Sequence, residues 1–302
     1  MPNCLLNLFS RVFDYLHGLW ESRGMQKRVG ALLVLTFLVG LAGIQLKIWG
    51  MLPHSLARLT PSSHYYAIDL AFTLVLAVEV LGLVFALPSS FSRSVGKQLE
   101  ILALILLRGA FKQLKYFPEP IDLTRDLEPL LTILAEASGA LAIFVVLGFY
   151  YRQRHFRTIR DDSAVERFVA FKKGLSLVLL AGFAGSAAYD GYLLFMSYEP
   201  YGFFKTFYTV LIFSDILIVL ASQLDAPWFH AVFRNSGLAV STLIMRLALT
   251  APPLLAPLLG LAAALLALGL TMAFNRFAYS FLRAEYPPMP EPGEPGEPVE
   301  KI

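Results

Sequence analysis

The sequence predicts an all-α fold, a polytopic transmembrane helical bundle of about eight spans arranged as two parallel four-helix repeats. Three observations point there. Of 302 residues, 57% are hydrophobic and only 16% charged, with a mean hydropathy of +0.62. Soluble domains are about 45–50% apolar and about 25% charged. Apolar runs of roughly 20 residues, the length that crosses a bilayer, recur along the chain. Those runs are rich in Leu and Ala without alternation, so they read as helices and not as barrel strands.

The same numbers exclude several classes. A disordered chain, a nucleic-acid-binding domain and an ordinary soluble enzyme are all too polar to match. The net charge of +3 is too small to recruit a polyanion, so no nucleic acid partner is expected. A single cysteine, Cys4, rules out a disulfide framework or a thiolate metal site.

Residues 1–28 open the chain. Leu5, Leu8, Phe9, Val12, Phe13, Leu16, Leu19 and Trp20 recur at helical spacing, with Asn7, Ser10, Arg11, Asp14 and His17 between them. This predicts an amphipathic helix on the cytoplasmic membrane surface, or one packed on a partner. The stretch lacks a basic start and a small-residue cleavage site, so it does not read as a signal peptide. Residues 29–151 form the first four-helix unit, with spans at Val29–Trp49, Tyr66–Leu87, Gln98–Phe111 and Pro129–Tyr151. Residues 152–173 are a basic connector. Residues 174–286 form the second unit, with spans at Gly174–Met196, Phe203–Leu224, Asn235–Ala251 and Leu254–Leu282. The Pro- and Glu-rich residues 287–302 read as a solvated, disordered tail.

Basic residues orient the bundle. With the N-terminus cytoplasmic, the connector places Arg152, Arg154, Arg157, Arg160, Arg167, Lys172 and Lys173 inside, and the outer loops hold few cations. Both termini are then cytoplasmic, in a plasma membrane or bacterial inner membrane. Arg152, Arg154, Arg157 and Arg160 are suited to anionic lipid headgroups. Their spacing resembles voltage-sensor arginines only in layout, because they follow the apolar run and do not lie within it.

A faint internal repeat links the two units. Glu79-Val-Leu-Gly-Leu-Val aligns with Asp215-Ile-Leu-Ile-Val-Leu, and Ile105-Leu-Leu-Arg108 with Leu243-Ile-Met-Arg246. Gly40-Leu-Ala-Gly43 aligns with Gly182-Phe-Ala-Gly185. Four spans per unit give both units the same orientation, as in parallel-repeat transporters.

Ionisable groups inside a bilayer cost about 2.5–3.5 kcal/mol each on insertion scales, so each needs a partner or a task. Counting 1.5 Å per residue puts Glu79 level with Arg108, and Asp215 level with Arg246, on neighbouring antiparallel helices. Two carboxylate–guanidinium pairs are expected. A second, outer layer pairs Lys47 with Asp69 and Asp190 with Lys205. Glu136 has no evident counterpart in the second unit and is the expected titratable site. Satisfied pairs of this kind fix helix register, whereas transport paths keep one carboxylate free to change protonation.

Other chemistry finds little footing. The five histidines (His17, His54, His64, His155, His230) fall in loops, at span ends or on the surface helix, so neither metal nor cofactor is expected. Gly-x-Ser-x-Gly and phosphate-loop signatures are absent, so no catalytic residue is assigned. Two functions remain. One is a transporter or channel-like protein for an ion or small solute, with its path between the two units. The other is a non-catalytic subunit of a larger membrane complex. The expected partners are the bilayer, anionic lipids, and either a second copy or other membrane subunits.

Overall fold

The computed structural model describes residues 2–53, 60–117, 127–153, 162–195, 203–225 and 229–285. Among them are nine α-helices, one 3-10 turn and no strand. The helices are α1 (Pro2–Glu21), α2 (Arg23–Ile48), α3 (Tyr65–Ala86), α4 (Phe91–Lys112), α5 (Glu128–Gln153), α6 (Asp162–Phe195), α7 (Phe203–Asp225), α8 (Phe229–Thr250) and α9 (Ala256–Glu285). The 3-10 turn Gln113–Tyr116 extends α4.

Six of these helices are long and apolar enough to cross a membrane: α2, α3, α5, α6, α7 and α9. The eight expected spans therefore become six on length and composition. The two left out, α4 and α8, are each 22 residues long. Charges explain their absence. Arg93, Lys97, Glu100, Arg108 and Lys112 punctuate α4, and Arg234 and Arg246 punctuate α8.

Chain boundaries differ from expectation at one place. α6 begins at Asp162, so the later part of the basic connector is helix continuous with the span. Arg154, Arg157 and Arg160 lie outside the described residues, as does the tail at 287–302. Pro252 and Pro253 stop α8, and a tight turn with Leu255 and Ala256 N–H donating to the Pro252 carbonyl starts α9.

Consecutive helices pack side by side: α2 on α3, α3 on α4, α4 on α5, α6 on α7, α7 on α8 and α8 on α9. Cross-contacts join α4 to α8, α5 to α9, α4 to α9 and α3 to α6. These contacts gather into two apolar clusters. The first unites α4, α5, α8 and α9 through Leu99, Leu102, Ile143, Leu147, Met245 and Ala263. The second unites α3, α6 and α7 through Val80, Val84, Phe183, Phe207 and Leu211. Each cluster takes helices from both halves of the sequence, so apolar packing cuts across the expected division into 29–151 and 174–286.

Small residues set the close approaches. A Cβ on Gly139 of α5 would sit 2.3 Å from Pro257 Cβ, and one on Gly260 of α9 would sit 2.8 Å from Ile143 Cδ1. The parallel helices α5 and α9 thus cross almost backbone to backbone. Gly40 also packs, its Cβ direction meeting Ala67 at 3.3 Å, whereas Gly43, Gly182 and Gly185 face open space. The Gly-x-x-Gly anchors of the suggested repeat are therefore used differently in the two halves.

Helix α1 docks on its own chain. Phe13 and Trp20 pack on Phe85 near the end of α3, and the His17 ring lies edge-on to it. Lys173 of α6 binds Asp14 at 2.7 Å. Its other apolar stripe (Leu8, Val12, Tyr15, Leu19) stays exposed.

Candidate functional site in a polar seam

The boundary between the two clusters is where polar side chains collect. The structure brings Arg108 of α4 onto Glu79 of α3, with Nη1 donating to Oε1. It brings Arg246 of α8 to Asp215 of α7, Nε to Oδ2 at 3.4 Å. Each pair therefore ties one helix of the α3–α6–α7 cluster to one helix of the α4–α5–α8–α9 cluster. Packing explains why these carboxylates face inward. Asp215 lies one turn from Leu211 and Ile218, both core residues, and Glu79 adjoins buried Val80.

The two pairs differ in enclosure. Arg246 is 1% exposed and Asp215 about 10%, whereas the Arg108 side chain is 34% exposed beside a buried Glu79. Neither Asp215 Oδ2 nor Arg246 Nε and Nη2 has a hydrogen-bond partner among the described residues. Charge attraction and side-chain hydrogen bonding tie Asp215 to Arg246, and Thr242 also bonds the carboxylate. The Tyr208 hydroxyl on α7 is likewise buried without a partner there.

Beside Asp215 lies a small cavity of about 20 Å³, room for one water molecule. Ser89, Ser94 and Gln98 line it from the first half of the chain, and Lys172, Asp215 and Thr242 from the second. Gln98 donates to Ser94 at 3.1 Å, leaving its own oxygen unpartnered among the described residues. Lys172 is 3% exposed, donates to the Ser89 carbonyl at 2.5 Å and lies over the rings of Phe168 and Phe91. Lys172 belongs to the basic connector expected at 152–173, where the helix already runs through it and carries its ammonium into the seam. The Phe168-x-x-x-Lys172 spacing was the available signal, since residues four apart share a helix face.

The outer layer of charges is rearranged. Asp69 takes Lys112 and Lys115, each at 3.2 Å, and not Lys47. Antiparallel packing of α3 and α4 puts the end of α4 beside the start of α3, and Lys47 instead donates to the Thr60 carbonyl. Lys112 also donates to Thr73 Oγ1 at 3.2 Å. Asp190 accepts the Phe203 N–H at 3.3 Å, at the beginning of α7. The Lys205 side chain lies outside the described residues.

Glu136 is 6% exposed on α5. Its carboxyl packs on Gly109, where an added Cβ would meet Oε2 at 2.8 Å. The Gln113 side chain bonds it and Lys112 is the nearby charge, while Oε2 has no hydrogen-bond partner among the described residues. Glycine at 109, next to Arg108, makes the room. Arg152 is exposed at the end of α5. No group of three or more His, Cys, Asp or Glu that could hold a metal stands together among the described residues.

Comparison of the chain with protein-family models, with curated proteins and with solved structures finds no match. The chain carries several apolar helices consistent with an integral membrane protein.

Proposed function

We propose that the chain is a membrane transporter or channel-like protein for an ion or small solute, and that its path follows the polar seam between the two clusters. One observation carries the reading. Polar side chains from both halves of the chain line one cavity, and two of them keep an atom without a hydrogen-bond partner among the described residues, Asp215 Oδ2 and Gln98 Oε1, while Arg246 beside Asp215 keeps Nε and Nη2 so. A purely structural pair is expected to have its donors and acceptors satisfied. Groups that meet a passing solute or water keep them open.

In this reading all eight long helices cross the membrane. The third helix of each half is the more polar one because protein, not lipid, covers Ser94 and Gln98 on α4 and Ser241, Thr242 and Arg246 on α8. α4 runs beside α5 from Ser92, hydrogen-bonded to Tyr150, to Gly109, packed on Glu136. Those 17 residues (109 − 92) rise about 26 Å, close to the roughly 30 Å of a hydrocarbon core. The same three neighbour contacts occur in each half, which supports the duplication. Glu136, buried with one oxygen open, is the group to accept and release a proton during transport.

Flux into proteoliposomes across a panel of monovalent ions and small organic anions and cations tests the reading. A substrate whose flux is lost in Gln98→Leu, in protein of unchanged melting temperature, and whose pH dependence is lost in Glu136→Gln, supports it. Stoichiometric co-purification with other membrane subunits, together with no flux of any solute, favours the alternative of a structural subunit.

A further inference from the structure

The structure holds a second, larger recess away from the seam. It is a lateral groove of about 570 Å³ between α4 and α5. That is within the roughly 300–1,000 Å³ of ordinary ligand pockets. Small residues (Ala103, Ala137, Ala140, Gly148) form its floor, and Leu104 and Phe144 wall it. A Cβ on Gly148 would touch nothing within 4 Å, so the groove is open above it.

One end of the groove is polar. Tyr151 packs its ring on Gly96 and donates to Glu100 Oε1 at 2.5 Å. Lys97 binds Glu100 Oε2 at 2.8 Å and remains about half exposed. Glu100 is thus held on both oxygens. Exposed Arg93 lies one turn before Lys97, and exposed Arg152 follows Tyr151. The three cations Arg93, Lys97 and Arg152 against Glu100 leave this end positive.

Length decides what fits. From Lys97 to Leu107 is ten residues (107 − 97), a rise of about 15 Å, which is half of a roughly 30 Å hydrocarbon core. The groove has the length of a leaflet's acyl chain, an apolar body, and a mouth from which exposed Arg93 and Lys97 reach toward the end of the bundle at Ser92. We propose that it binds one anionic glycerophospholipid, with an acyl chain between α4 and α5 and the phosphate at Arg93 and Lys97. The proposal rests on α4 and α5 both crossing the bilayer and is independent of transport.

Photo-crosslinking tests it, using the full chain in nanodiscs of mixed phosphatidylglycerol and phosphatidylcholine. The probe is phosphatidylglycerol with a diazirine on its acyl chain. Adducts are expected on the α4 and α5 groove residues. Gly148→Leu fills the groove and should cut them about ten-fold. Gly43→Leu, at another open glycine on α2, should leave them unchanged. Arg93→Gln combined with Lys97→Gln should erase the preference over a phosphatidylcholine probe while keeping the apolar contact. Both glycine variants are checked for unchanged melting temperature. Adducts spread evenly over α2 and the groove, or insensitivity to Gly148→Leu, would overturn the proposal. Chain-to-chain adducts at the groove would overturn it too and assign the surface to a second copy.

Discussion

Arg246 stands 3.4 Å from Asp215 at 1% exposure, yet two of its nitrogens reach no hydrogen-bond acceptor among the described residues. The pair links α7 to α8 and so joins the two apolar clusters. Burial makes its removal costly from either side. Losing one partner of a buried pair costs about 3–5 kcal/mol, because the other charge is left uncompensated. Asp215→Asn and Arg246→Gln should each destabilise the protein by about that much, and the double variant by clearly less than the sum. Denaturant unfolding in mild detergent measures the cycle. The Glu79→Gln and Arg108→Gln cycle should show the same sign with smaller coupling, since Arg108 is a third exposed.

Gly139 and Pro257 hold α5 and α9 at near-contact. A methyl at 139 meets the Pro257 ring and backbone, which cannot rotate away. Gly139→Ala should therefore cost about 1–3 kcal/mol by overpacking. Gly185→Ala, facing open space on α6, should be neutral or raise stability by up to about 1 kcal/mol through helix propensity. Melting temperatures of the two variants in one detergent compare them directly. Equal behaviour would mean that α5 and α9 are not in close contact.

The alignment of α4 with α5 makes a topological prediction. If α4 crosses, a reporter fused after Tyr116 lies on the opposite face from one fused at the N-terminus. Alkaline phosphatase and fluorescent-protein fusions read this. Reporters on the same face would remove α4 from the eight spans and with it the geometric basis for the seam.

Much of the helix content was legible from apolar run lengths, because a run of that length has few other ways to satisfy its backbone in lipid. The pairs Glu79–Arg108 and Asp215–Arg246 were accessible to depth counting, since consecutive antiparallel helices convert sequence offset into height. Asp69 was not. Its height suited Lys47 as well as Lys112, and only the packing of α3 on α4 decided between them. Lys172 was hidden for another reason. A cation beside a polar connector reads as solvated unless the helix is known to extend through it. The regrouping of helices into clusters drawn from both halves depends on contacts between distant segments, such as α4 with α8, and local periodicity carries no trace of those.

Water access to the seam tests the central claim most directly. In a Cys4→Ser background, Ser94→Cys and Thr242→Cys place one thiol each on the cavity wall, one from each half of the chain. Ala264→Cys, fully buried in the α4–α5–α8–α9 cluster, is the control. A small charged, membrane-impermeant methanethiosulfonate is added to the protein in liposomes. Labelling of positions 94 and 242 but not 264 is the expected result for a solute path. Protection of all three in every condition would contradict it and leave the ion pairs as fixed structure.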